Sequence, residues 1–260
     1  MENNEEIGKK ENNNDNKTNN NSIDISKYKI TKVEKGEDIS NLEEITYKVI
    51  VIGDPAVGKT TIIQNLVNES DIKENYKSTI GFDIFNYTAH VNEKLITMQI
   101  WDTCGLIDFS ACTPKLYKNT ALAIVVFAVN KESSFQHLDN WINLLKANSS
   151  SEVLVYIVGN KIDLEKREIS KEEGEKYTKE GNYKLYIETS ALKKLNVKEM
   201  FERAFAELYE LHSYYKDKEE EDDDEEEQRI DFSKRKKTFK LNKENNDINK
   251  KTSNTCCIIY

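Results

Sequence analysis

The chain has 260 residues, a formal net charge of −9 and a charged fraction of 33%. That length allows one or two domains, and the uneven composition favours one domain flanked by polar tails. The acidic balance argues against a nucleic-acid-binding surface, because phosphate contacts need a basic face.

Residues 1–45 begin MENNEEIGKKENNNDNKTNNN and hold only scattered apolar positions. Such a segment buries too little surface to offset its ordering entropy, so it is expected to be a disordered extension. An Asn-rich arm that binds a partner is the alternative reading. No apolar h-region of a secretory signal stands near the start. The longest apolar run, ALAIVVFAV at residues 121–129, is far short of the roughly 20 residues that span a bilayer. A cytosolic chain is expected, or one held at a membrane by something other than a helix. Cys104 with Cys112, and Cys256 with Cys257, have the spacing of neither a disulfide framework nor a metal site.

From Tyr47 onward, short β-rich runs alternate with helical stretches, the signature of an α/β sheet. YKVIVIG reads as a buried strand that enters a Gly-rich turn. FDIFNYTAHV and EKLITMQIWD form a hairpin about Asn92 and Glu93. ALAIVVFAV is apolar throughout, as a central strand covered on both faces must be. FQHLDNWINLL sets Phe135, Leu138, Trp141, Ile142 and Leu145 at helical spacing, which marks them as core. EVLVYIVG is a further strand, Ser170 and Glu173 make a capping box for the helix that follows, and KLYIETS is the last strand. Val197, Met200, Phe201, Ala204, Phe205 and Leu208 stripe a closing helix. One domain over residues 46–212 is predicted, with residues 213–255 as a charged tether. The acidic run Glu219–Glu227 within that tether reads as a solvated linker rather than a docking motif.

GDPAVGKT, Gly53 to Thr60, matches the phosphate-loop pattern G-x-x-x-x-G-K-[ST] between a predicted strand and a predicted helix. Its glycines let backbone N–H groups turn inward on phosphates, and the helix N-terminus adds its dipole. Lys59 would neutralise the β- and γ-phosphates, and Thr60 would offer a hydroxyl to Mg²⁺. GNKIDL, residues 159–164, names the base. Asp163 can accept from the N1–H and the exocyclic amine of guanine, a pair of donors that adenine does not present there. The Lys161 stem can lie over the ring, and Asn160 can tie this loop to the phosphate loop. ETSAL, residues 188–192, supplies the Ala191 N–H for the guanine carbonyl.

Three such motifs in this order resemble the Ras-superfamily small GTPases, and in particular the Rab family. The resemblance covers the middle domain and leaves out both tails. It implies a P-loop NTPase G domain with a six-stranded, mostly parallel sheet, one antiparallel hairpin and about five helices. It also implies GTP/GDP and Mg²⁺ as cofactors, with nucleotide contacts at Pro55, Ala56, Val57, Gly58, Lys59, Thr60, Thr61, Tyr76, Thr79, Gly105, Asn160, Lys161, Asp163, Ser190, Ala191 and Leu192. STIGFDI, residues 78–84, is similar to the first Rab switch, and WDTCGLIDFSACTPKLY, residues 101–117, to the second, whose usual form is WDTAGQERF. By the same resemblance Thr60 and Thr79 hold the metal, Asp102 holds it through water, and the Gly105 N–H senses the γ-phosphate. Lys59, Thr79, Gly105 and Leu106 occupy the catalytic positions.

Six residues depart from the family pattern. Leu106 stands where the family has the glutamine that orients the attacking water. Leucine neither donates nor accepts, so hydrolysis should be slower by about a hundredfold or more, on the order of 2–4 kcal/mol. Asp108 stands at the family's arginine, and Pro55 adds bulk to the phosphate loop. Ile72 replaces an aromatic that packs edge-on against the purine, which predicts faster nucleotide exchange. Of three aromatics that Rab effectors commonly read, only Trp101 remains, with Ile84 and Leu116 at the other two positions.

The ending TCCIIY resembles the doubly geranylgeranylated Rab terminus, and its last four residues also parse as a C-a-a-X box. Lipid on Cys256 and Cys257 would anchor stably where one chain would not, and the basic run Lys234–Lys237 would assist on an anionic leaflet. The intervening tether has a reach of about 35 Å. A switch on the cytoplasmic face of an endomembrane, with a cytosolic pool, is therefore expected. Its partners would be an exchange factor, a GTPase-activating protein, a dissociation inhibitor and effectors, with no nucleic acid. A GTP-bound recruitment scaffold that does not hydrolyse is the alternative.

Overall fold

A computed structural model describes residues 23–34, 36–39, 41–67, 79, 81–105, 113–150 and 152–216. Its strands are β1 (Ile30–Lys32), β2 (Glu44–Ile52), β3 (Phe82–Val91), β4 (Lys94–Thr103), β5 (Thr120–Ala128), β6 (Leu154–Asn160) and β7 (Leu185–Thr189). The helices are α1 (Lys59–Val67), α2 (Thr113–Tyr117), α3 (Glu132–Gln136), α4 (Leu138–Asn148), α5 (Lys171–Glu180) and α6 (residues 197–216).

The strands form one sheet in the order β1-β3-β4-β2-β5-β6-β7. β4, β2, β5, β6 and β7 are parallel neighbours, while β3 pairs antiparallel with both β4 and β1. Parallel strands need helices on both faces, and the alternating side chains of β2 show that covering directly. Val49 and Val51 pack with Ile62 and Ile63 of α1 and with Met200, Phe201 and Phe205 of α6. Ile50 and Ile52 point the other way, toward Leu138, Trp141, Ile142 and Leu145 of α4. The apolar stripes read from the sequence are therefore the two cores, and the capping box closes α5, with Ser170 N–H donating to Glu173 at 2.7 Å.

Three boundaries differ from expectation. The predicted helix over FQHLDNWINLL is two helices, α3 and α4, with His137 between them. α6 runs to residue 216, past the predicted domain end at 212. The third correction is larger: residues 23–34, assigned to a disordered extension, carry a short 3-10 turn and the extra strand β1, which makes the sheet seven-stranded rather than six. The arm is held by contacts distant in sequence. Asn92 at the hairpin turn exchanges two hydrogen bonds with Lys29, its side chain accepting at 3.0 Å and its backbone N–H donating at 3.0 Å. The Tyr28 ring meets Tyr209 of α6 edge-on at 5.9 Å, and its hydroxyl donates to Glu210 at 2.6 Å. Low local hydrophobicity could not reveal this, because the apolar surface that orders the arm belongs to α6.

Replacing Tyr28 by alanine removes an edge-on aromatic pair and should lower the unfolding free energy by about 1 kcal/mol. Urea denaturation of the variant against wild type measures it, and an unchanged midpoint would show that the arm contributes nothing.

Candidate functional site

Four loops that carry predicted contacts leave the C-terminal ends of parallel strands, where open α/β sheets place their ligands, and Thr79 reaches the same end from the segment before β3. Residues 53–58 connect β2 to α1, Cys104 and Gly105 follow β4, residues 161–170 follow β6, and residues 190–196 follow β7.

The phosphate loop is shaped by close approach. Gly58 has φ +104°, and a Cβ there would lie 2.3 Å from Asn160 Nδ2. Gly105 has φ +77°, and its Cβ would fall 2.6 Å from Lys59 Nζ and 2.7 Å from the Gly53 carbonyl. Only glycine fits either position without moving the lysine or the loop. The Lys59 ammonium is buried and donates to the carbonyls of Gly53 and Asp54, both at 2.9 Å. Burial pushes its pKa down to about 8, against the charges of Asp102, Cys104 and Asp54. A cation inside a loop of inward-turned glycine backbone is suited to phosphate oxygens.

Beside it, Thr60, Thr79 and Asp102 converge. Asp102 is fully buried, and its Oδ2 accepts from the hydroxyls of Thr60 at 2.6 Å and Thr79 at 3.2 Å, while those hydroxyls lie 2.9 Å apart. Asp102 Oδ1 is buried without a partner. Burial raises the Asp102 pKa, opposed by Thr60, Lys59 and Thr79. Two hydroxyls and a carboxylate with a free lone pair are the donor set a hard divalent cation takes.

At the other end, Asn160 joins three segments. Its Nδ2 donates to the Val57 carbonyl at 2.8 Å, and its Oδ1 accepts from Thr189 Oγ1 at 3.1 Å and from the Ala191 N–H at 3.0 Å. Here the Ala191 amide, expected to meet a guanine carbonyl, donates to Asn160, whose buried oxygen requires a donor. Ser190 likewise acts inside the protein, its hydroxyl donating to Asp163 Oδ1 at 2.5 Å and accepting from the Lys193 N–H. Asp163 is thus oriented by a hydroxyl from the next loop. Lys161 lies in the left-handed region with φ +70°; burial, then Lys131, lower its pKa. Leu192 is exposed. Tyr76, Leu106, Ile72, Asp108, Cys256 and Cys257 lie outside the described residues.

Sequence reasoning passed over five residues. Asn65 of α1 donates from Nδ2 to the Ala191 carbonyl, which ties the phosphate-loop helix to the base loop. Phe82 stacks on Trp101 with ring centroids 5.0 Å apart, and the Lys48 ammonium stands 4.0 Å from the same indole. Phe82 and Ile84 are 43% and 45% exposed, so the surface near the switches keeps two aromatics where the family comparison left one. The period of two along a strand was the available signal, since Phe82 and Ile84 share a face. Asp54 and His137, hydrogen-bonded at 2.8 Å, carried no signal at all.

A loop that encloses a buried lysine, a dihydroxyl–carboxylate cluster and an oriented aspartate on one strand edge define a P-loop nucleotide-binding protein. The Ras family model matches residues 48–210. Over 171 residues the chain is 36% identical to the Ras-related protein Rab-11C of Dictyostelium discoideum, a match that covers 65% of this chain and 75% of that protein. The chain belongs to the Ras family and is a Rab-like small GTPase.

Asn160→Ala removes both the brace and the cap on Ala191. Buried groups left unpaired cost about 1–3 kcal/mol each, so the Kd for GDP should rise by roughly tenfold to a hundredfold. Titration calorimetry reads this directly.

Proposed function

We propose that the protein is a GTP-binding switch of vesicle-mediated transport that cycles between GTP and GDP with Mg²⁺, hydrolyses slowly, and is anchored by lipid on Cys256 and Cys257. The observation that carries this reading is the convergence of the Thr60 and Thr79 hydroxyls on Asp102 Oδ2, beside a buried Asp102 Oδ1 without a partner. Thr79 belongs to the first switch segment, and Thr60 to the phosphate-loop helix. A cation held by both hydroxyls, with Asp102 behind them, would link the order of that segment to bound nucleotide. Mg²⁺ there would neutralise charge on the β- and γ-phosphates. Lys59 would leave the carbonyls of Gly53 and Asp54 for phosphate oxygens, and the Gly105 N–H would report the γ-phosphate. Asp163, held by Ser190, would select guanine.

Leu106 sets the rate. The remaining groups position and neutralise the phosphates, but an apolar side chain cannot orient the attacking water. The same residue favours the second reading, a recruitment scaffold that stays in the GTP state and is controlled by exchange or abundance. Among the described residues no helix is long and apolar enough to cross a membrane. The terminal cysteines and the basic run at Lys234–Lys237 support peripheral attachment to the cytoplasmic face of an endomembrane. Exchange factor, GTPase-activating protein, dissociation inhibitor and effectors are the partners such a cycle requires, with effectors meeting Phe82, Ile84, Trp101 and Leu116.

Single-turnover hydrolysis separates the two readings. Wild type should turn over measurably, and Leu106→Gln should be faster by about a hundredfold, the value of one positioned transition-state contact. Equal rates in the two proteins would exclude a role for this position, and no turnover in wild type would leave the scaffold. Fractionation of the Cys256→Ser, Cys257→Ser double variant should move the protein wholly into the soluble pool; retention on membranes would rule out the lipid anchor.

A further inference from the structure

Asp54 is the second residue of the phosphate loop, and its carboxylate is buried. A negative charge at this place opposes phosphate binding unless it is neutralised or turned away, and a buried carboxylate needs partners for both oxygens. Both are supplied from the other side of the sheet. His137 Nδ1 lies 2.8 Å from Asp54 Oδ2, and Trp141 Nε1 donates to Oδ1 at 3.0 Å. The two donors are four residues apart, one helical turn, so they present their rings on one face.

The chain reaches this arrangement through the break between α3 and α4. The His137 N–H caps α3 by donating to the Ser133 carbonyl at 3.1 Å, and its own carbonyl accepts from the Asn140 and Trp141 amides at 3.0 and 3.3 Å. The residue that interrupts the helix is therefore the residue whose ring reaches the loop. Trp141 is buried in the core, whereas the His137 side chain is 46% exposed. The other end of Asp54 bears on the phosphate site, since its backbone carbonyl accepts from Lys59 Nζ at 2.9 Å. One residue thus connects the phosphate-binding lysine to the α3–α4 junction.

We infer that His137 is a positioning residue of the phosphate loop: its hydrogen bond to Asp54 turns that carboxylate away from bound phosphate and fixes the loop, and so limits the rate at which nucleotide leaves. The inference rests on the guanine-nucleotide reading of the site. Removing the His137 donor leaves Asp54 Oδ2 unpaired and the carboxylate held by Trp141 alone, which loosens its turn away from the phosphates. The loop backbone at the Asp54 carbonyl rotates with it.

The test is the dissociation rate of fluorescently labelled GDP from the full chain in Mg²⁺, well below the melting temperature. His137→Leu should release GDP roughly tenfold faster. His137→Asn, whose amide can occupy the place of Nδ1, should restore the rate to within about threefold of wild type. In an Asp54→Ala background His137→Leu should add nothing, because the interaction is already gone. A wild-type rate for His137→Leu, or an acceleration of equal size in the Asp54→Ala background, overturns the inference. Should His137→Leu fail to fold, His137→Phe removes the donor and keeps a ring at the α3–α4 junction: faster release supports the inference, and an unchanged rate overturns it. Wild-type protein that takes up no labelled GDP sinks the guanine reading and this inference together, whereas uptake with an unaltered variant sinks the inference alone.

Discussion

The side chain of Asn160 is the constraint on which the nucleotide site depends. It stands at the end of β6 and joins the Val57 carbonyl in the phosphate loop to Thr189 and Ala191 in the loop after β7. An amide suits this place because it carries donors and an acceptor on one planar group. No carboxylate or aliphatic residue could satisfy both loops. The three strand ends β2, β6 and β7 are not adjacent in sequence, and β5 separates β2 from β6 in the sheet. Asn160 therefore converts the spacing of the sheet into a fixed distance between the phosphate end and the base end. Asn65 adds a second strut from α1 to Ala191.

Around that brace the protein buries charge, and each buried group is positioned by others. Lys59 rests on the carbonyls of its own loop, Asp54 is gripped by two ring donors, and Asp102 gathers two hydroxyls. Burial lowers the Lys59 pKa and raises that of Asp102, so each group gains by meeting an opposite charge. A nucleotide phosphate would answer the first and the proposed divalent cation the second. Among the described residues, Asp102 Oδ1 and Asn65 Oδ1 are the oxygens this network leaves without a partner.

The outer surface follows a different rule. At the β3 edge the arm from residue 23 adds a strand and fastens the hairpin turn to α6 through Tyr28 and Asn92. At the other end of β3, Phe82 lies on Trp101, whose indole is also held by Lys48 and by Gln99. One strand thus carries a locked end far from the switches and an exposed apolar end beside Thr79. Phe82, two residues before Ile84 on the same face, adds a second exposed apolar side chain to this end of the strand.

Much of the fold was legible because its signals are local. Hydrophobic period separated strands from helices, Asn92 marked the hairpin, Ser170 and Glu173 marked a helix start, and the phosphate-loop glycines marked positions where backbone must turn and pack closely. These properties are fixed within a few residues, so order along the chain is enough to specify them. The tie from Asn160 to the phosphate loop was legible, but its exact partners, and the other residues that hold the site together, were not. Asn160 meets Val57 across 103 positions and His137 meets Asp54 across 83, and the arm is ordered by an α6 surface that lies nearly two hundred residues later. The sequence by itself determined the motifs, the element types and the chemistry each loop could offer. Only the tertiary structure decided which donor faces which acceptor, because a hydrogen bond between distant residues depends on angstrom-scale placement by the whole packed sheet, and no local pattern encodes that.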